Sequence, residues 1–200
     1  MSKSEYSIWK LFRRLYWDIA DPAQRKMYGY WFIWQLPGTF GDMLRSRYMG
    51  KIFKYTGENV KILSGARFRS PENLSIGDNS CIGNDNFIQA LGGVTIGHDT
   101  SLAPSVKIWS VNHNYKNRNK LIGEQGLTKR NVVVGNDVWI ASNTFILPGV
   151  NLPDGIVVGA GSLVTVKKYQ PYSVIAGNPA RMIGRRKRDN EVAEILYHVD

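Results

Sequence analysis

Residues 132–164 read VVVGNDVWIASNTFILPGVNLPDGIVVGAGSLV, and the aliphatic positions in this stretch count in sixes. Val134, Ile140, Ile146, Leu152, Val158 and Val164 are evenly spaced. The same step runs upstream through Ile96, Leu102 and Ile108, and, across a two-residue slip at Val94-Thr95, through Ile76, Ile82 and Ile88. A fainter prelude lies at Ile62, Phe68 and Leu74. The next residue is often small, as at Gly77, Gly83, Gly97, Ala103, Gly135, Ala141 and Gly159.

A helix repeats every 3.6 residues and a strand alternates every 2, so neither yields a strict six. Six fits a chain that runs as a short strand, turns and repeats, with three faces to a coil. A large aliphatic then fills the interior once per face, the small neighbour admits the tight corner, and coils stack about 4.8 Å apart through backbone hydrogen bonds. An ordinary β-rich protein would not hold twelve aliphatics in register from residue 76 to 164. Propensity alone reads many of these Gly/Asn/Asp-rich pieces as loops, and the repeat overrides it.

The 200 residues suit one domain with a real core. At 43% hydrophobic and 21% charged, the chain is neither disordered nor fibrous. A lone Cys81 excludes an intrachain disulfide and a Cys-rich metal site. Arginines interrupt the apolar N-terminal stretch, unlike a signal peptide, and no apolar run reaches the roughly 18–20 residues of a membrane span. A reducing, cytoplasmic setting is expected. The formal charge of +10 suits any polyanion. No zinc finger, helix-turn-helix or RNA-binding motif accompanies it, so nucleic acid is not expected.

Upstream of the repeat the texture changes. Ile8, Leu11, Phe12, Leu15, Tyr16 and Ile19 form an apolar stripe at helical spacing. Asp21-Pro22, with Gln24 three after the cap, opens a second helix bearing Tyr28, Tyr30, Trp31, Phe32 and Trp34. Thr39 and Asp42 suggest a third, bearing Leu44 and Tyr48. Ten Lys/Arg against four Asp/Glu lie in residues 1–54. The stripe is expected to cap the open end of the coil and pack on a neighbouring subunit, since a bare terminal rung leaves unpaired edges. Attachment to an anionic membrane face stays open beside it, which would set the protein at the inner face. The last residues, RMIGRRKRDNEVAEILYHVD, read as a basic segment and a short helix with Val192, Ile195 and Leu196.

The count of six stops between about residues 112 and 131, where a polar, basic excursion interrupts two full rungs. A solenoid face has no deep pocket of its own, and such an insertion can wall one off. His113 stands at its near edge, flanked by Asn112, Asn114 and Tyr115. His98 falls on a turn of the repeat and His198 near the end, so three histidines cannot form a metal cluster, and no metal is expected.

The run SVNHNY, followed in order and in register by VWIA, LPGV, GAGS and AGNPAR, resembles the hexapeptide-repeat acetyltransferases, specifically their sugar and polysaccharide O-acetyltransferase branch. The resemblance covers residues 60–186. It implies an all-β solenoid, a left-handed parallel β-helix, with a helical N-terminal segment and a short C-terminal helix. The expected organisation is a helical cap at 1–56, the β-helix at 57–180 with its excursion at 112–131, and a basic segment with a helix at 181–200. It further implies acetyl-coenzyme A as cosubstrate, a homotrimer with sites between protomers, and His113 as the general base that deprotonates an acceptor hydroxyl. Imidazole is the side chain whose ordinary titration lies nearest neutral pH.

By the same resemblance, backbone N–H groups near Ala141 and Ser142 would meet the developing oxyanion. Ser142 and Ala160 would let the pantetheine arm run close to the backbone. Thr165 with Lys167, or Lys168 in reserve, would contact the coenzyme. Arg181 would face its phosphates, and Arg185 or Arg186 would stand in for a second arginine whose family place falls at Gly184. Asn84, Asp85 and Asn86 would bind acceptor hydroxyls, with Asn112, Asn114 and Tyr115. The acidic residue that holds sugar in galactoside acetyltransferases is missing, its place falling in Ala90-Leu91-Gly92-Gly93. That departure points to a surface-polysaccharide or lipopolysaccharide unit as the acceptor. Transfer to the amine of an amino or nucleotide sugar, transfer to an antibiotic alcohol, and a non-catalytic scaffold are the rival readings.

Overall fold

The computed structural model describes residues 8–187. The expected C-terminal helix, with Val192, Ile195 and Leu196, and His198 lie outside the described residues. From Tyr55 onward the chain winds as a three-faced solenoid of parallel strands. The first face stacks Tyr55–Thr56, Leu74–Ile76, Val94–Ile96, Val132–Val134 and Asn151–Leu152. The second stacks Lys61–Ile62, Cys81–Ile82, Ser101–Leu102, Trp139–Ile140, Val157–Val158 and Ser173–Gly177. The third stacks Arg67–Arg69, Phe87–Gln89, Lys107–Trp109, Phe145–Ile146 and Leu163–Val164.

The aliphatics of the sixfold count point inward in every coil. Ile62, Ile82, Leu102, Ile140 and Val158 form one buried column, and Ile88, Ile108, Ile146 and Val164 another. Each such side chain contributes roughly 1.5–3 kcal/mol of burial, and the stack of them forms the core. A second inward position lies four residues after the aliphatics of the first and second faces, as at Ser80, Thr100, Val138 and Ile156, and at Ala66, Asn86, Val106, Thr144 and Ser162. Small or β-branched residues dominate there, because the corner leaves little volume. Register explains the slip at Val94-Thr95. Early coils take twenty residues (Cys81 beside Ser101), whereas later ones take eighteen (Trp139 beside Val157). The early surplus sits at the corner between the third and first faces, once as the short 3-10 turn Pro71–Asn73.

Three helices precede the coil: α1 (Ile8–Ala20), α2 (Pro22–Trp34) and α3 (Gly38–Gly50). The cap expected of the first stripe is made instead by the other two. Tyr30 and Met49 are buried against Phe53 and Phe68, and Tyr30 donates its hydroxyl hydrogen to the Ala66 carbonyl at 2.8 Å. Arg45, fully buried, ties this cap to the first coil. Its guanidinium donates to the carbonyls of Ile62 (3.0 Å), Ile33 (3.1 Å) and Leu36 (2.6 Å) and pairs with Asp42. No residue of α1 is buried. Its apolar arc lacks the coil end as a partner because α2 and α3 already occupy that end. At the far end, Ala180–Arg185 doubles back antiparallel on Ser173–Gly177 and ends the second face. Residues 181–185, read from sequence as the start of a basic tail, are therefore a strand.

Candidate active site

The excursion leaves the coil at Ser110 and returns at Arg130, at the edge between the third and first faces. It is an antiparallel hairpin, not a loose loop: Val111–His113 pairs with Leu127–Lys129, and His113 faces Leu127. Buried Ser110 holds both stems. Its carbonyl accepts from Arg130 N–H at 2.8 Å, its hydroxyl donates to the Gln89 carbonyl at 2.7 Å, and its Oγ accepts from Gly92 N–H at 2.8 Å. A Cβ at Gly92 would sit 2.1 Å from the Ser110 carbonyl oxygen and 2.8 Å from the Arg130 nitrogen. The place of the missing acid is thus filled by glycines that let the hairpin stem approach the coil.

Beyond His113 the hairpin is organised by amides. Asn114 donates to the Gln125 carbonyl at 2.9 Å and accepts from the Thr128 hydroxyl at 2.5 Å. Gln125 accepts from Asn117 N–H at 3.0 Å and donates to the carbonyls of Asn117 and Lys120. The result is an open cleft of about 590 Å³ lined by Asn112, His113, Asn114, Tyr115, Thr128, Arg130 and Pro148, among others. His113 is exposed, and among the described residues no carboxylate pairs with its ring. The structure therefore gathers four expected residues and adds Thr128, Gln125, Arg130 and Pro148. Pro148 belongs to the LPGV run, which in sequence carries only the family resemblance. Its Gly149, at φ +87°, leaves room for the Arg130 side chain against the corner.

The other expected residues fall on two edges of the prism. Thr165 follows the last strand of the third face, so it shares the third–first edge with Ser110 and Pro148. Lys167 comes two residues later. Its ammonium titrates below the usual lysine value, through desolvation first and the neighbouring Arg181 charge second, although the side chain is exposed. Two cations therefore crowd one another there. Among the described residues Arg181 donates only to the Ala180 and Pro179 carbonyls nearby. Arg185 and Lys168 are exposed. Arg186 is occupied elsewhere: it pairs with Asp137 at 2.7 Å, donates to the Gly155 carbonyl and lies over the Tyr172 ring. Of the two replacement arginines, Arg185 alone keeps its cation for a ligand.

Asn84, Asp85, Ala141, Ser142 and Ala160 lie on the second–third edge. Successive corners there join through Gly161 N–H donating to the Ser142 carbonyl at 2.9 Å. Ala141 N–H is spent on the Val158 carbonyl at 2.9 Å, whereas Ser142 N–H has no acceptor among the described residues. Asn84 donates to the Ser64 hydroxyl at 2.9 Å, and Asp85 is exposed at a left-handed corner, φ +55°. Asn86 departs from expectation. Four residues after Ile82, it takes the second inward place of the hexad and is fully buried, neither amide atom partnered. It cannot reach an acceptor on the surface. Trp139 is 53% exposed on the outer side of the second face. His98 is exposed and joins Asp99 at 2.7 Å, which holds that carboxyl below the usual range. Among the described residues no His/Cys/Asp/Glu group could hold a metal ion.

Comparison with known proteins finds no matching family model. Chloramphenicol acetyltransferases match over short stretches. That of Klebsiella aerogenes is 46% identical over 66 residues, 33% of this chain and 31% of the relative, so the chain spans under a third of its length. Longer matches reach a putative colanic acid biosynthesis acetyltransferase, WcaF, of Escherichia coli K12 (32% identity, 65% of this chain, 68% of the relative). The galactoside O-acetyltransferase of the same organism is 34% identical over 70% of this chain and 67% of its own. A solved galactoside acetyltransferase in complex with coenzyme A superposes with a TM-score of 0.74 at 28% identity, covering 84% of this chain and 82% of that one. Together with the stepped coil and its inserted hairpin, these likenesses show that the chain belongs to the hexapeptide-repeat acetyltransferases of the left-handed parallel β-helix fold, in their sugar O-acetyltransferase branch.

Proposed function

We propose that the protein transfers acetyl from acetyl-coenzyme A to a hydroxyl of a sugar, in a surface-polysaccharide or lipopolysaccharide unit. The observation that carries this is the hairpin inserted into the coil, which sets an exposed His113 in a cleft with Asn112, Asn114, Tyr115 and Arg130. His113 takes the acceptor proton as the hydroxyl oxygen bonds to the thioester carbonyl carbon. Ser142 N–H, the uncommitted donor of the expected pair, meets the negative charge on the carbonyl oxygen. Collapse breaks the carbon–sulfur bond, and coenzyme A leaves as a thiolate that regains the proton. Lys167, Arg181 and Arg185 receive the coenzyme phosphates.

One chain carries these parts on two edges separated by the third face. We therefore assign the complete site to the seam between protomers of a homotrimer, one giving the His113 edge and its neighbour the Ser142 and Ala160 edge. A relative named for colanic acid biosynthesis supports the polysaccharide acceptor. The test is a panel of glycans and sugars with radiolabelled acetyl-coenzyme A. A sugar should be acetylated, and His113→Ala should lower turnover about 10²-fold or more with coenzyme binding retained. Full turnover by that variant would remove the base. A second reading, acetylation of an antibiotic alcohol, draws on the short stretches shared with chloramphenicol acetyltransferases. Chloramphenicol belongs in the same panel, and its preference over every sugar would replace the glycan.

A further inference from the structure

The first helix has no task in the site described above. Read at 100° per residue, Leu11, Leu15, Ile8, Ile19, Phe12 and Tyr16 fall on one continuous arc of α1, and Trp9 borders it. The opposite arc carries Lys10, Arg13 and Arg14, with Trp17 among them. In soluble proteins such an arc lies against a core, yet Trp9 is 79% exposed, Phe12 58% and Ile8 62%. Asp18, at the edge of that arc beside Leu11, accepts the Tyr28 hydroxyl hydrogen at 3.1 Å and ties α1 to α2. Arg13 and Arg14 are exposed and form no ion pair among the described residues.

We propose that α1 is a membrane-surface anchor that lies in the headgroup plane of an anionic phospholipid bilayer. Three features favour a bilayer over a second copy of the chain. The apolar arc runs the whole length of the helix with an aromatic border at Trp9 and Tyr16, the amphipathic rings that suit a headgroup boundary. Arg13 and Arg14 form no ion pair among the described residues, and an acidic headgroup supplies a countercharge for them. A copy of the same helix would bring more arginines instead, in a protein whose formal charge is already +10. No described helix is long and apolar enough to cross a membrane, so the anchoring is peripheral. This reading does not depend on the acetyl-transfer proposal. It does give that reaction a place, beside acceptors built on lipid.

The experiment is sedimentation of the full chain with extruded vesicles of phosphatidylcholine alone and with about 30 mol % phosphatidylglycerol. The protein should sediment with the acidic vesicles and stay in solution with the neutral ones. Neutralising the two arginines (Arg13→Gln with Arg14→Gln) should weaken partitioning roughly five-fold per cation. Phe12→Ser with Leu15→Ser should abolish it, while coenzyme A binding stays unchanged in both variants. Equal behaviour toward both vesicle types, or serine variants that still sediment, would overturn the anchor. So would a wild-type chain that ignores vesicles and whose molar mass by light scattering falls in the serine variant, since the arc would then join copies of the chain.

Discussion

Thr128 donates its hydroxyl hydrogen to Oδ1 of Asn114 at 2.5 Å, across the hairpin that presents His113. Asn114 also donates to the Gln125 carbonyl, and Gln125 in turn holds the Asn117–Lys120 turn. The hairpin thus has a small polar frame of its own in place of a hydrophobic core. Thr128→Val keeps the shape and removes the donor, a loss of about 1 kcal/mol. Turnover should fall roughly five-fold through a looser His113, with the coenzyme A dissociation constant unchanged. Steady-state kinetics with calorimetry reads both quantities. A change confined to coenzyme affinity would mean that the frame serves the donor side instead.

Gly92 permits the crossing of the hairpin stem over the coil. An added methyl would meet two backbone atoms, the Ser110 oxygen and the Arg130 nitrogen, and backbone cannot swing aside as a side chain can. Gly92→Ala should cost about 1–3 kcal/mol, a fall in melting temperature of several degrees for a chain this size. Acetyl transfer should drop as well, because the displaced stem carries His113. Calorimetric melting of the variant at the wild-type temperature would show that the stem does not pass so close.

Asn86 leaves two buried polar atoms without partners at a place where the same column has Val106 one coil later. An unsatisfied buried amide costs about 1–3 kcal/mol, so Asn86→Val should raise the melting temperature and leave acetyl transfer intact. Asn84→Ala, half-buried at the same corner, is the contrasting variant and should weaken acceptor binding. Loss of acceptor affinity in the Asn86 variant would place that amide at the surface after all.

The coil was legible because burial imposes one aliphatic per face, and Ile140, Ile146 and Leu152 state that period without help from context. The second inward place was equally present in the letters, four after the aliphatics of the first and second faces, but Ser80, Thr100 and Asn86 are polar. Counting that place would have moved Asn86 inside. The early corners hid their extra residues because Pro71–Asn73 has no hydrophobic signal. His113 stood out by interrupting a rhythm. Thr128, Gln125 and Arg130 did not, since only the antiparallel pairing brings them back beside it. The N-terminal stripe was visible, but not its lack of a partner, which follows from Tyr30 and Met49 filling the coil end first.

Lys167 offers a test on the coenzyme side. Desolvation and the adjacent Arg181 charge both disfavour its ammonium form, so it loses its proton at lower pH than an ordinary lysine. A coenzyme phosphate binds the protonated form and must restore it. Affinity should therefore hold at neutral pH and begin to weaken, as pH rises, before an ordinary lysine near 10.4 would titrate. Lys167→Arg should flatten that decline, because a guanidinium stays charged throughout the range. Lys167→Ala should raise the coenzyme A dissociation constant by roughly ten-fold at pH 7 and remove the pH dependence. Titration calorimetry between neutral and alkaline pH measures all three. Removing the 3′-phosphate from the coenzyme then asks which phosphate Lys167 meets: if the wild type and the alanine variant bind the dephosphorylated form equally, the lysine serves that phosphate. If the alanine variant binds intact coenzyme A as tightly as wild type across the pH range, Lys167 takes no part and the crowded pair belongs to the surface alone.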